Sequence, residues 1–399
     1  MRHREKARHL GLDALRGLAV ILMILVDAVP DGTLAYPVLV HSLEGISLAD
    51  TPFPAFVFAM GAATVFSLKE GKTGRGKKII RRVVLLWGIG VLFNLVPYVF
   101  SWLLLPDYTG VTFWHEVTAN WRPMGVLQRL ALVYGLGSFL ALWLKESRRL
   151  MGAALLLMAI SSLGFRWYAP EAPYDLEHNI ATHLDMLLFG ASHLYQGWGV
   201  PFDPEGVYGT FNTAATFLWG VLAGRLITSE IPPAQKSRLM LVGAGLFLGG
   251  GWLWNQWEIV SKNLWTAPYV LLNVGIDTAA LLLLSHSQMK FFRRPLVVFG
   301  RRPLFFYLAS NFALIFLWVL HLPTGEPAFT WLWQRTWGKF FSPEVSTTLF
   351  AASWCLLWLV LGEILCRWDV KNNNLLPGQG AASPLWRVGQ SPTKKRGET

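Results

Sequence analysis

Cysteine, acidic residues and N-glycosylation signals are all scarce in this chain of 399 residues. Its two cysteines, Cys355 and Cys366, are too few for a disulfide framework, and their placement predicts no metal site. Only 15% of the residues are charged while 53% are hydrophobic, which leaves no room for a large soluble domain. No Asn-x-Ser/Thr sequence occurs, which disfavours a glycosylated protein of the secretory pathway.

Long hydrophobic runs, in contrast, are abundant. Ten of them occur, and most are long enough to cross a hydrocarbon core of roughly 30 Å. The sequence therefore predicts an all-α, polytopic membrane bundle of about ten transmembrane helices. The ten segments are 15–29, 52–68, 79–104, 126–144, 150–167, 209–227, 239–254, 264–284, 304–320 and 347–365.

The basic residues lie almost entirely on alternate sides of these segments. With the N-terminus in the cytoplasm, 29 of the 35 Lys and Arg fall on the inner side, which predicts an N-in, C-in topology. The net charge of +11 then indicates contact with anionic membrane lipids rather than with nucleic acid. Together with the missing glycosylation signals, this predicts a multi-pass protein of a bacterial inner membrane.

The chain is predicted to form one transmembrane domain, residues 1–368, followed by a basic tail, residues 369–399, that is disordered. The longest outer segment, 169–208, contains six acidic residues and neither Lys nor Arg. Loops of this length in a compact membrane domain are usually functional. Its middle, Ile180–Phe189, is predicted to form a short helix. A homodimer is left open as the oligomeric state.

Two ionisable residues stand out near the outer ends of the first two spans. Asp27 lies late in the first span, and an acid inside a membrane is a functional candidate because it is costly unless paired or hydrated. His41 is the candidate for proton transfer, since histidine titrates near neutral pH and a carboxylate such as Asp27 could orient it. Most loop histidines, however, are simply solvated.

Other polar residues have both a structural and a functional interpretation. Asp13 and Arg16 can pair one helical turn apart, as a cap and interface anchor or as support near a cytosolic ligand entrance. Asp50 precedes Pro52 and marks a helix start. Arg129 could lie at the interface, bind a phosphate, or pair with Asp203 or Asp50. The remaining candidates are Asn212, which faces a neighbouring helix or a cavity, and Asn263, beside a helix cap. Asp50 and Asp203 are also predicted to bind substrate or cofactor.

Several short motifs, in this order, resemble the heparan-α-glucosaminide N-acetyltransferase family of transmembrane acyltransferases. The motifs are Asp13-x-x-Arg16-Gly17, His41, Asp50…Phe53-Pro54-x-Phe56, Gly125-Val-Leu-Gln-Arg129-Leu, His193-Leu-Tyr195, Asp203-Pro-Glu-Gly…Gly209-Thr210-x-Asn212, Lys262-Asn263-Leu-Trp265 and Gly300…Pro303-Leu304-x-x-Tyr307. Each motif alone is weak evidence of the family. The resemblance as a whole covers residues 12–365.

The resemblance implies cytosolic acetyl-CoA as co-substrate, no metal, and an amino sugar outside the cytoplasm as acceptor. The family's essential histidine falls on His41, as general base or acetyl carrier, and its usual Asn late in the first span falls on Asp27. Asp27 would then hold the imidazolium. The expected oxyanion donors are Asn212 and Asn263. The expected ligands of the CoA phosphates are Arg129 or the pair Arg301 and Arg302.

Two departures concern the acceptor side. The family's histidine is usually followed by a segment resembling Ala-x-Trp-Asn-Gly, whereas this chain has Ser42-Leu43-Glu44-Gly45 at that place. The spacing from Asp27 to His41 is also slightly long. The acceptor identity is therefore open, including O-acetylation of a cell-envelope glycan. A transporter or flippase of a glycan or lipid-linked sugar, and a non-catalytic partner-binding protein, are the alternatives to an enzyme. A transporter would be expected to show inverted repeats, and no clear repeat is visible.

Overall fold

Helices dominate the computed structural model, which describes residues 9–69, 74–286 and 290–371. The rest of the described chain forms turns, short 3-10 segments, a π-helical segment at Gln334–Gly338 and two isolated β-bridges, so the all-α prediction is confirmed. The α-helices of these ranges are α1 (Leu10–Asp27), α2 (Pro52–Lys69), α3 (Arg75–Asn94), α4 (Val96–Leu104), α5 (Gly110–Asn120), α6 (Val126–Trp143), α7 (Ser147–Tyr168), α8 (Ile180–Phe189), α9 (Thr210–Thr228), α10 (Pro233–Trp254), α11 (Ala267–Ser285), α12 (Lys290–Arg301), α13 (Pro303–Val319), α14 (Ala328–Trp333) and α15 (Pro343–Lys371).

Each of the ten predicted apolar segments overlaps a helix, with the third shared by α3 and α4. Within the described ranges, six helical stretches are long and apolar enough to cross a membrane. The number becomes seven if α12 and α13, which meet at an 86° bend, form one broken span. The α1 helix is not among the six because it contains three charged residues, and α13 alone is not among them because it has only 17 residues. The chain is an integral, multi-pass membrane protein built of helices.

The centre of the bundle is the crossing of α2 and α9. A Cβ atom on Gly61 would lie 2.1 Å from the carbonyl oxygen of Phe217, and one on Gly220 would lie 2.1 Å from the carbonyl oxygen of Phe58. Only glycine permits two helix backbones to approach this closely. The rings of Phe58 and Phe217 are fully buried in the main apolar core around this crossing.

The start of the first helix, α1, contains the predicted Asp13–Arg16 contact and packs against the end of α12. It begins at Leu10, with His9 rather than Asp13 as its cap, so the capping interpretation of Asp13 is wrong. The predicted contact between Asp13 and Arg16 is present, with 3.2 Å between Arg16 Nη1 and Asp13 Oδ1. A Cβ atom on Gly300 would lie 1.7 Å from the Asp13 carbonyl oxygen, so the end of α12 packs against the start of α1.

Two further predictions concern short elements. The helix predicted over Ile180–Phe189 is confirmed with those bounds as α8. The last helix, α15, continues to Lys371, slightly past the predicted domain boundary at residue 368. The predicted disordered tail lies outside the described residues from residue 372 onward.

Candidate functional site

A cavity of about 370 Å³ lies where α1 ends and α2 begins. Most of its lining comes from the end of α1, the His41 loop (residues 28–51), the Trp198 loop (residues 190–209) and the Lys262 loop (residues 255–266). The start of α2, Arg122, Val126 and Tyr307 of α13 complete it. Its polar and aromatic lining residues are Asp27, His41, Arg122, Tyr195, Trp198, Glu205, Lys262, Asn263, Phe53 and Tyr307. The structure therefore brings the predicted residues His41, Asp27 and Asn263 to one cavity.

His41 is oriented by Asp50. The Nδ1 atom of His41 lies 2.9 Å from Oδ1 of Asp50, and the His41 side chain is 38% exposed while that of Asp50 is fully buried. With Nδ1–H donating to the carboxylate, Nε2 carries the lone pair that can accept a proton. The pair has the geometry of a general base and its orienting acid.

Asp50 is itself fixed by its local chain. Its Oδ2 accepts hydrogen bonds from the Ser47 backbone N–H and from the Ser47 hydroxyl, each at 2.9 Å. Its backbone carbonyl accepts a 2.5 Å hydrogen bond from the Tyr269 hydroxyl of α11. Asp50 thus ends a 3-10 turn, Leu48–Asp50, immediately before α2, as the helix-start signal predicted. The predicted binding role gives way to positioning, because this side chain is buried against His41.

Asp27 does not orient His41 by a hydrogen bond, contrary to the sequence-based expectation. Asn311 of α13 donates to Asp27 Oδ2 at 2.9 Å instead. The Asp27 carboxylate is exposed to the cavity and close enough to His41 and Lys262 to interact with their charges. The expectation failed because α13, which is distant in sequence, supplies the donor that an acid at this depth requires.

Arg122 is a site residue that the sequence analysis passed over. Its guanidinium donates to both oxygens of Asp203, through Nε at 2.7 Å and Nη2 at 2.5 Å, and Nη2 also donates to Glu205 at 2.5 Å. The guanidinium also lies over the Tyr195 ring, 5.4 Å from its centre. Burial alone would lower the pKa of Arg122, but Asp203 and Glu205 outweigh burial and raise it. Arg122 therefore fastens the Trp198 loop to the segment before α6.

Arg129 is placed differently from its prediction. It is 1% exposed, and Nη2 donates to the Gly206 carbonyl at 2.8 Å. Its guanidinium lies 5.2 Å from the ring centre of Trp265. A residue buried in this way offers no surface to the phosphates of CoA, and the partner of Asp203 is Arg122 rather than Arg129. Arg129 acts as a structural cation beneath the Trp198 loop.

Lys262 and Asn263 enter the cavity together. The Asn263 side chain is 6% exposed, and its Nδ2 has no hydrogen-bond partner among the described residues. Burial lowers the pKa of Lys262, while the carboxylates of Glu205 and Asp50 act in the opposite direction. Lys262 was not among the residues predicted to form the site, although it lies in the same motif as Asn263. The two side chains offer N–H donors beside His41 in a partly desolvated space.

The other predicted oxyanion donor lies outside the cavity. The Asn212 amide nitrogen donates to the Ser161 hydroxyl at 3.0 Å and to the Trp265 carbonyl at 2.7 Å. Both of its N–H groups are therefore used to hold α9 against α7 and the Lys262 loop, where Trp265 has a left-handed backbone with φ of 52°. In this structure Asn212 therefore has no N–H group left to donate to an oxyanion.

Arg301 and Arg302 lie at the opposite end of the bundle. Both side chains are exposed at the bend between α12 and α13. The neighbouring Gly300 packs against Asp13, and the 14 residues from Asp13 to Asp27 span roughly 20 Å of helix. The two arginines are therefore separated from the cavity by most of the length of α1.

Comparison with known proteins gives a consistent result. Residues 8–244 match the family model described as heparan-alpha-glucosaminide N-acetyltransferase, catalytic. The chain is 29% identical to the mouse heparan-alpha-glucosaminide N-acetyltransferase over 318 residues and 28% identical to the human one over 319. Each alignment covers 65% of this chain and 46% of the relative, so the chain spans just under half the length of these curated relatives.

The matched region contains the elements that position the proposed base. It extends from the start of α1 through α9, and so includes His41, Asp50, Arg122 and both loops that face each other across the cavity. The match covers more than half of the chain. The protein therefore belongs to the heparan-alpha-glucosaminide N-acetyltransferase catalytic family.

Proposed function

We propose that this protein transfers the acetyl group of acetyl-CoA to the amine of an amino sugar in the cavity beside His41. The observation that carries the proposal is the pair His41–Asp50, which opens into a cavity lined by an additional carboxylate and by two N–H donors. The names of the curated relatives, which describe N-acetylation of a glucosaminide, support this reaction type.

Each group has a defined role in this reaction. The ammonium form of the acceptor binds to Asp27 and loses one proton to solvent, and the resulting neutral amine attacks the carbonyl carbon of the thioester. Nε2 of His41 accepts the proton that the amine loses, while Asp50 stabilises the imidazolium. Lys262 and Asn263 donate to the oxyanion. The carbon–sulfur bond then breaks, and the proton on His41 passes to the departing thiolate.

The donor is proposed to enter from the end opposite the cavity. Arg301 and Arg302 are exposed there and offer guanidinium groups suited to phosphate. In this proposal the chain has about ten spans with both termini in the cytoplasm, so that the arginines face the cytosol and His41 faces the other compartment. The distribution of basic residues supports this orientation.

The reaction is tested with full-length protein in proteoliposomes and acetyl-labelled acetyl-CoA. The acceptors are glucosamine, other amino sugars, and glycans that offer only hydroxyl groups. Wild-type protein should label the amino sugar, whereas His41→Ala should lose about 10²–10⁴ of the rate. The control His115→Ala removes an exposed histidine that lies 3.9 Å from Glu116, outside the cavity, and should retain activity. Labelling of hydroxyl acceptors alone would indicate O-acetylation, and transport without labelling would refute the proposal.

A single-turnover arm without acceptor distinguishes the two roles of His41. Label retained on wild-type protein but not on His41→Ala would show that His41 carries the acetyl group. Absence of retained label would support direct transfer with His41 as base.

The orientation is tested by cysteine labelling in intact cells. A single cysteine placed in segment 169–179, in a background without Cys355 and Cys366, should react with an impermeant thiol reagent before lysis. A cysteine at residue 75 should react only after lysis. The reverse result would contradict the proposed topology and place His41 in the cytoplasm.

A further inference from the structure

A second depression, the Glu44 groove, adjoins the cavity and has no role in the reaction described above. Its volume is about 540 Å³, large enough for a sugar ring with its substituents. The lining residues are Leu43, Glu44, 172–177, Trp198, Val200, Ile259 and Ser261. The groove is therefore formed by the His41 loop, the Trp198 loop, the Lys262 loop and the segment that follows α7.

The groove adjoins the reaction cavity at Trp198. Trp198 lines both spaces, Glu44 follows His41 by three residues, and Ser261 immediately precedes Lys262. A molecule with its amine beside His41 can therefore extend past Trp198 into the groove. The most direct occupant is the next unit of the same acceptor.

Trp198 is held in a conformation that suits this position. Its backbone has φ of 66°, a left-handed value that is unusual for a bulky residue, and its side chain is 48% exposed. The Tyr195–Phe202 bridge closes the turn that contains Trp198, and Arg122 holds Asp203 just beyond that turn. Strained backbone of this kind concentrates at ligand sites. An exposed indole face at the junction of two depressions is a platform on which sugar rings can stack.

The charge of the groove selects among acceptors. Glu44, Asp175 and Glu177 line it, and none of the described lining residues is Lys or Arg. The Asp175 carboxylate is engaged by His178 at 2.9 Å, but Glu44 and Glu177 are both exposed. A uronic acid or a sulfated sugar would meet like charge, whereas a protonated amino sugar would meet opposite charge.

We propose that the Glu44 groove binds the second sugar of an oligosaccharide acceptor, and that this second sugar is itself an amino sugar rather than an anionic one. The proposal rests on the proposed function for the identity of the first sugar, and it adds a specificity subsite to that function. It predicts that a glucosamine disaccharide with free amines binds more tightly than glucosamine, and that a glucuronic acid–glucosamine disaccharide does not.

The test is equilibrium binding, by tryptophan fluorescence or calorimetry, to full-length protein without an acetyl donor. The ratio of Kd for glucosamine to Kd for the diamine disaccharide should exceed about tenfold and should fall by roughly that factor in the double variant Glu44→Gln, Glu177→Gln. Both residues are exposed, so the variant should fold. The matched control is Glu171→Gln, an exposed acid of the same segment outside the groove, which should leave the ratio unchanged.

Two outcomes would overturn the subsite. One is equal affinity for the monosaccharide and the diamine disaccharide in wild-type protein. The other is tighter binding of the uronic acid disaccharide. Because no acetyl donor is present, these outcomes are independent of catalysis. Intact disaccharide selectivity without acetyl transfer would refute the proposed reaction and leave the subsite supported.

Discussion

The His41 loop and the Trp198 loop face each other across the cavity, and buried charges of opposite sign hold them. In the His41 loop the central group is a carboxylate, Asp50, which accepts from two backbone N–H groups, the Ser47 hydroxyl and His41. The Trp198 loop is held by a guanidinium from outside it, Arg122, which donates to the loop carboxylates of Asp203 and Glu205. Both arrangements satisfy a buried ion with several hydrogen bonds, as burial requires.

The two ions differ in the side chains that their loops present to the cavity. Asp50 uses part of its capacity on a titratable side chain, so its loop presents a group that can accept a proton. Arg122 uses its donors on carboxylates within the loop, and presents the faces of Tyr195 and Trp198 to the cavity. One loop is therefore suited to chemistry and the other to recognition.

The largest expected effect comes from removing the guanidinium that holds the Trp198 loop. Arg122→Ala leaves the buried carboxylates of Asp203 and Glu205 unpaired, and we expect a loss of about 3–5 kcal/mol in the free energy of unfolding. Arg122→Lys keeps the charge but loses the bidentate geometry, so its loss should be intermediate. Thermal unfolding in detergent measures both variants.

The control for this prediction is an exposed ion pair. Arg149 lies 3.4 Å from Glu146, and both side chains are more than 60% exposed. Arg149→Ala should cost less than about 1 kcal/mol, as surface pairs do. Equal losses for Arg122→Ala and Arg149→Ala would show that the Trp198 loop does not depend on Arg122.

The corresponding change in the other loop should affect the reaction more than the fold. Asp50→Asn removes the carboxylate that favours the imidazolium form of His41, and we expect acetyl transfer to fall about 10²-fold. Asp31→Asn, which alters an exposed carboxylate of the same loop, is the matched control. A rate within a few-fold of wild type would mean that acetyl transfer does not depend on the contact between Asp50 and His41.

The features that the sequence predicted correctly are those determined by a single segment of the chain. Apolar length gave the positions of the helices, and the short pattern Asp13-x-x-Arg16 gave a contact that the structure contains. Asn263, which was predicted from a short motif, lies at the cavity because that motif is part of the Lys262 loop. These features depend on local spacing and on hydrophobicity.

The pairing of charges could not be predicted in this way. Asp27 was expected to hold His41, but its partner Asn311 is 284 positions away, and a helix crossing decides which of them meet. Arg129 and Arg122 are seven positions apart and equally basic, yet only Arg122 lines the cavity. A signal for Asp50 was present, since it lies nine residues after His41, but a helix-start residue accounted for it equally well.

The smallest predicted effect concerns the second anchor of the Trp198 loop. Asp185 of α8 is fully buried and accepts a 2.9 Å hydrogen bond from the Val207 N–H. Burial raises its pKa to about 7 from the model-compound value of 3.8. Between these two pH values the folded state retains a proton that the unfolded state has lost, so the free energy of unfolding falls as pH rises through this window.

Asn at this position resembles the neutral acid and does not ionise. The Tm of Asp185→Asn should therefore differ little from wild type near pH 4 and exceed it increasingly up to about pH 8, when both are measured in the same detergent. The exposed Asp107→Asn change serves as the control and should show no such trend. A difference in Tm that is constant with pH would mean that Asp185 is ionised throughout. Residues 203–207 of the Trp198 loop would then be held by two ionised side chains, Arg122 and Asp185.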